Sequence, residues 1–241
     1  MREHAVRMTT LLIATGNAHK LTEIRAILGD GFRYLTLNDF PEAPAVIENA
    51  ETFAGNATKK AVELARWLAT AHEARSTNHD SAGFVLADDS GLEVDALNGA
   101  PGVHSARFAA LDSAMSGNSS TAENNAKILR LLANVPMERR TARFHCVIAL
   151  TPVIRDKVES ASPVCYADEL ELQNELFDGT CEGRILFEPR GTNGFGYDPL
   201  FVPNGFEQTF AELGEAVKNR LSHRARALTR LKERLQILVG A

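Results

Sequence analysis

Cysteine is scarce in this 241-residue chain. The three present, Cys146, Cys165 and Cys181, are odd in number and form no C-x-x-C pair, so neither a zinc site nor a disulfide framework is indicated. Reduced thiols and a cytoplasmic location are the expectation. Tryptophan occurs once, at Trp67, where helix packing is the simple account. No apolar run nears the roughly 18 residues a membrane helix needs, so a soluble protein without a membrane partner is expected. The opening MREHAVRM has no apolar stretch of the secretory kind. Residues 1–8 are expected to be a disordered leader, and 9–241 a single two-lobed domain. Basic excess is missing as well. A formal net charge of −5 argues against a nucleic-acid partner, though a small anion would answer to local charge.

What is present is ordinary globular composition, 44% apolar and 24% charged, with chain enough for a sizeable core. Leu11–Ala14 has the pattern of a short buried strand. A helix follows, with Leu21, Ile24, Ile27 and Leu28 on one face and Gly29 and Gly31 as its stop. Further helices are predicted over about 52–71, 121–132 and 222–239. Phe84–Ala87 and Arg143–Leu150 are predicted strands, the second central. Residues 151–178 look irregular and acidic, 191–196 form a glycine-rich loop, and 76–83 is the one linker-like stretch. Strands alternating with helices make an α/β protein.

Four constellations could carry chemistry. Thr15-Gly16-Asn17-Ala18-His19-Lys20 joins a strand to a helix whose N-terminal N–H groups suit phosphate. Lys20 in the first turn opposes the helix dipole unless an anion sits there. The alternative is a Gly-Asn turn with a solvated lysine, and the glycine spacing is not that of a Walker A loop. Ser222 is a natural N-cap for a last helix that again begins with cations, His223 and Arg224, and Lys218 lies four residues upstream. On residues alone, a phosphate role for Lys20, Lys218 and Arg224 and a merely solvated one both stand.

Asp88 and Asp89, at the expected end of a strand, could share Mg²⁺, a hard cation held by few carboxylates, waters and substrate phosphates. The competing account is an Asp-Asp-Ser-Gly surface turn. It is not the Asp-x-Asp-x-Thr of a haloacid-dehalogenase phosphatase. In Gly191–Gly196 and the Tyr197-Asp198-Pro199 that follows, Phe195 between glycines offers a stacking face and Asp198 an acceptor, both suited to a purine. A hairpin with Phe195 in the core is the other account. His4, His19, His72 and His79 lack ligand spacing, Cys146 looks like a core residue, and no Ser-His-Asp order supports acyl chemistry.

Together, Thr15-Gly16-Asn17-x-x-Lys20, Ala87-Asp88-Asp89-Ser90-Gly91-Leu92, Gly99-Ala100-Pro101-Gly102-x-x-Ser105-Ala106-Arg107, Phe195-Gly196-Tyr197-Asp198-Pro199 and Ser222-His223-Arg224 resemble the inosine/xanthosine triphosphate pyrophosphatases, in family order over residues 11 to about 228. The resemblance implies a long mixed sheet with flanking helices, two lobes around a central nucleotide-binding cleft, and a homodimer. It implies Mg²⁺-dependent cleavage of dITP, ITP and XTP between the α and β phosphates, giving monophosphate and pyrophosphate. Asp89 would be proton acceptor and metal ligand, with Asp88 beside it. Thr15, Gly16, Asn17, Ala18, His19 and Lys20 would hold phosphates, joined by Lys218. Ser90 would touch the substrate, Phe195, Gly196, Tyr197 and Asp198 would cradle the nucleoside, and His223 and Arg224 would help read the 6-oxo base.

One departure stands out. Where the family often has Phe-x-Glu-Asn-Ala, with the glutamate on the metal, this chain has Phe53-Ala54-Gly55-Asn56-Ala57. Glu48 matches another acidic position of the family. Mg²⁺ would then rest more on Asp89, water and the triphosphate. The stretch 158–177 is longer than the family's usual connection. Competing functions are a pyrophosphatase of different base preference and a nucleotide sensor without turnover.

Overall fold

Short buried apolar runs build the strands, and helical stripes of small and aliphatic residues cover them. The computed structural model describes residues 8–73, 83–112, 117–154 and 173–239. Residues 1–7 of the leader expected over 1–8, residues 76–82 of the linker-like stretch 76–83, His4, His79, the His72 side chain, Cys165 and residues 158–172 of the long connection lie outside these. The strands are β1 Thr9–Ile13, β2 Phe32–Thr36, β3 Phe84–Val94, β4 Thr141–Pro152, β5 Glu175–Ile185 and β6 Phe201–Pro203. They form one six-stranded sheet in the order β2-β1-β3-β4-β5-β6. β1 runs parallel to β2 and β3, and β5 antiparallel to β6, so the sheet is mixed, as expected. The helices are α1 Ala18–Leu28, α2 Phe53–Glu73, α3 Thr121–Leu131, α4 Phe210–Leu213, α5 Glu215–Leu221 and α6 His223–Leu238. Among the described residues no helix is long and apolar enough to cross a membrane.

The chain divides into two units. The first gathers the described residues of Met1–Asp88, Ile148–Phe177 and Leu231–Ala241, the second those of Asp89–Val147 and Asp178–Arg230. In the first, Leu11, Leu12, Ile13, Val85, Leu86, Ala87, Ile148 and Leu150 are buried strand residues. On α2, Ala57, Ala61, Leu64 and Leu68 are fully buried at helical spacing, the stripe that makes this helix form. Trp67 meets Phe40 edge to face at 5.8 Å, helix packing as anticipated.

The second unit holds an aromatic core in which Phe144 packs on Phe201 and Phe201 on Phe210, at 4.7 and 5.3 Å. Its helix α3 is tied at both ends. Ser120 and Glu123 form a capping box at the start. At the far end the buried Arg140 guanidinium donates to the carbonyls of Leu132, just past the helix, of Val135 and of Leu186 at 2.6, 2.9 and 2.7 Å. Burial holds this arginine's pKa below its ordinary value. A Cβ added at Gly179 of β5 would overlap the His223 carbonyl and crowd the Ala227 amide. Glycine there lets β5 lie close against the backbone of α6, fixing the turn that carries His223 and Arg224.

Candidate active site

The β1–α1 turn in the first unit puts Lys20 beside an aspartate. Asn17 caps α1, its Oδ1 accepting from the His19 and Lys20 amides at 2.9 and 3.3 Å, and Thr15 Oγ1 accepts from the Asn17 amide at 3.1 Å. Two amides at this helix end are thus not bare, since a side chain of the chain itself takes them. Gly16, Ala18 and His19 are exposed or nearly so. Lys20 donates to Asp88 Oδ1, with 1% of the Asp88 side chain exposed. The anion that offsets the lysine's unfavourable place on the helix dipole is this carboxylate.

Asp88 and Asp89 do not close a strand before a Ser90-Gly91 turn. β3 continues through both to Val94, so they occupy a strand interior, and successive residues there face opposite sides of the sheet. Two adjacent acids are tolerated because their partners differ. Asp88 has Lys20. Asp89 Oδ1 accepts from the Ser90 amide at 3.1 Å. One ion shared symmetrically by the two carboxylates does not follow from this arrangement.

Lys60, which sequence reasoning did not single out, also reaches this strand. It donates to the Asp88 carbonyl at 3.3 Å and pairs with Glu48 at 2.7 Å. Its partners left no signal in the sequence, because both lie outside its own helix. Close by, Gly55 is locked in place. A Cβ at residue 55 would lie 2.8 Å from the Ala50 Cβ and 3.1 Å from Thr52 Oγ1. Ala50 is held by its amide's bond to Asn56 Oδ1 at 2.9 Å. Gly55→Glu is therefore expected to destabilise the protein by about 1–3 kcal/mol through overpacking, read as a lowered denaturant midpoint. An unchanged midpoint would show that the loop can yield.

In the second unit, Lys218 and Asp198 form a 2.7 Å ion pair with 4% and 2% of their side chains exposed. Asp198 Oδ2 also accepts the Phe195 amide at 2.8 Å. Asp198 was expected to offer an acceptor to a purine, but its carboxylate is turned inward and ties Lys218 to the glycine-rich loop. A Cβ at Gly194, where φ is +79°, would overlap this carboxylate, so the pairing requires glycine there.

Phe195 is half-buried rather than part of the core. The Lys218 ammonium stands 4.3 Å from its ring centroid and the Arg224 guanidinium 5.9 Å, within cation–π range. Arg224 is buried and donates to Ser90 Oγ at 2.8 Å. Lys218, expected among phosphate ligands, is thus placed with the aromatic ring. Ser222 Oγ accepts the Ala225 amide at 3.1 Å, capping α6 as predicted. The His223 ring is buried and stacks on Phe144 at 4.9 Å.

Tyr197 is buried and donates to the Ser105 carbonyl at 2.8 Å. Burial pushes its pKa far up, so it stays a neutral donor and pins the loop to Gly102–Arg107, another stretch of the motif set. An open cavity of about 510 Å³ in this unit is lined by residues such as Glu138, Arg184 and Arg190. None of the candidate residues borders it, so it is no part of the site.

The Ham1 family model matches residues 11–234. A dITP/XTP pyrophosphatase of Shouchella clausii is 42% identical over 230 residues, covering 95% of this chain and 98% of its own. One from Geobacter sulfurreducens is 44% identical over 229 residues, covering 95% and 97%. Among solved structures, a HAM1 protein from Coxiella burnetii superposes with a TM-score of 0.71 at 34% identity, covering 97% of this chain and all of its own. The Staphylococcus aureus Ham1 protein gives 0.73 at 30%, covering 95% and 100%. Sequence and fold agree along nearly the whole length, and the chain belongs to the Ham1 family.

Proposed function

We propose that this protein is a nucleoside-triphosphate pyrophosphatase that cleaves dITP, ITP and XTP between the α and β phosphates, releasing the monophosphate and pyrophosphate. The observation that carries the reading is the half-buried Phe195 with two cationic donors beside it, Lys218 and Arg224. A purine can stack on the ring while its 6-oxo group accepts from those donors. A 6-amino group would present donors to donors, and each buried group left unpaired costs roughly 1–3 kcal/mol. Relatives above 40% identity named dITP/XTP pyrophosphatase support the same substrate class.

In this proposal Asp89 takes the proton of the water that attacks the α phosphorus. Lys20, held by Asp88, meets the phosphates together with the Thr15–His19 turn, and Ser90 and Arg224 contact the nucleotide. The donor set suits Mg²⁺. Among the described residues no group of three or more His, Cys, Asp or Glu side chains could hold a metal, and magnesium needs only one or two carboxylates where substrate phosphates and water complete its shell. Asp89 would hold it, with Asp88 engaged by Lys20. When bound, the ion neutralises phosphate charge and makes water a better nucleophile. A homodimer in the cytoplasm completes the proposal, in keeping with the family likeness.

Phosphorus NMR of dITP with the protein and Mg²⁺ tests the reaction. Pyrophosphate and dIMP in equal amounts are expected, with dATP turned over far more slowly. Orthophosphate as the product, or binding of dITP without turnover, would refute the reading.

A further inference from the structure

Phe195 sits between two glycines of positive φ, Gly194 at +79° and Gly196 at +63°. Glycine visits either sign of φ with little preference, so the peptide planes on both sides of the aromatic ring have little rigidity of their own. Something outside the loop must choose their orientation. On the N-terminal side Asp198 does so, accepting the Phe195 amide. On the C-terminal side the Gly196 carbonyl accepts from Asn125 Nδ2 at 3.3 Å.

Asn125 belongs to α3, far from the loop in sequence and absent from the motifs that point to the function. Its helix is fixed by the Ser120 capping box and by Arg140 at its other end. Its neighbour Asn124 accepts the Ala109 amide at 2.8 Å and donates to the Ala106 carbonyl at 3.3 Å. One helix thus anchors two loops through consecutive asparagines. Asn125 is 8% exposed, and its Oδ1 is buried with no protein donor among the described residues. One long hydrogen bond set against a buried acceptor that no protein donor satisfies gives at best a neutral balance for folding. An aliphatic residue would fill the space at less cost.

We infer that Asn125 is a positioning residue for nucleotide recognition: it fixes the direction of the Gly196 carbonyl, and through it the face that Phe195 presents to the base. This rests on the pyrophosphatase reading above.

The test compares the wild type with Asn125→Asp, which keeps the size but removes the donor, and with Asn125→Leu in case the aspartate variant fails to fold. Steady-state kinetics on dITP are combined with amide hydrogen exchange of the ligand-free proteins. KM is expected to rise about three- to tenfold, the worth of one hydrogen bond, with kcat within about twofold. Exchange should accelerate over 193–198 and stay unchanged in β4. Wild-type KM and wild-type exchange at the loop in a folded variant would overturn the inference. So would an equal loss of protection in β4 with kcat falling as much as KM rises, since that describes general loosening. A wild type that does not hydrolyse dITP refutes the functional reading instead, and the exchange data then still decide whether Asn125 holds the loop.

Discussion

Asp89→Asn is expected to lower kcat for pyrophosphate release from saturating dITP by a factor of about 10²–10⁴, the range that general-base catalysis contributes. The substitution isolates chemistry from architecture. Asparagine has the same shape, and its Oδ1 can still accept the Ser90 amide that Asp89 accepts at 3.1 Å. What disappears is the charge and the ability to take a proton. Asp88→Asn makes a useful contrast. It leaves Lys20 without the carboxylate it meets in the folded state, so stability and KM are expected to suffer first. An Asp89→Asn enzyme within tenfold of wild-type kcat would remove this residue from the chemistry, whatever the phenotype at Asp88.

The largest expected loss of stability comes from Lys218→Met. Both members of the Lys218–Asp198 pair are almost fully buried. Removing one partner of such a pair costs about 3–5 kcal/mol, chiefly because the other charge stays buried. Here the Phe195 amide would remain as a donor to Asp198, which places the expectation toward the lower end. The denaturant midpoint measures it. The double variant Lys218→Met/Asp198→Asn is expected to recover part of the loss, because the orphaned charge goes with the second change. If Lys218→Met unfolded at the wild-type midpoint, the pair would carry no structural weight. A double variant less stable than Lys218→Met alone would mean that Asp198 acts through the loop rather than through the lysine.

Most helices were legible in the sequence because their signals are local. The stripes of α2 and α6 and the cap of α6 each lie within a few turns, and the observed helix bounds differ from the predicted ones by few residues. β4 was equally plain as an apolar run. β3 was half legible. Its apolar start showed, but Asp88 and Asp89 looked like a stop, because the side chain that neutralises Asp88 lies 68 residues away. β5 was missed for a related reason. Gly179 and Gly183 interrupt its alternation, and their cause is the approach of the His223 and Val202 carbonyls, which no local pattern shows. The short elements β2, β6, α4 and α5 carried too few residues to state a period.

The candidate site divides the same way. Its residue types and their order could be read from motifs, but their pairings could not. Lys218 looked like a phosphate ligand and stands instead beside an aromatic ring. Asp198 looked like a ligand acceptor and serves as an internal brace. Asn125 lies outside every motif, and the partners of Lys60 were equally hidden, since a helix residue that reaches a distant strand or loop leaves no trace of that partner in its own neighbourhood.

The tight fit of Ala50 against Gly55 also constrains the order in which this protein could change. An acidic residue at 55 meets the methyl group at 50 and carries the expected cost of about 1–3 kcal/mol, a strain that Ala50→Gly would lessen. The route to an acidic side chain at this place on α2 therefore runs more easily through position 50, and directed evolution that varies 50 and 55 together is expected to keep more folded proteins than substitution at 55 alone.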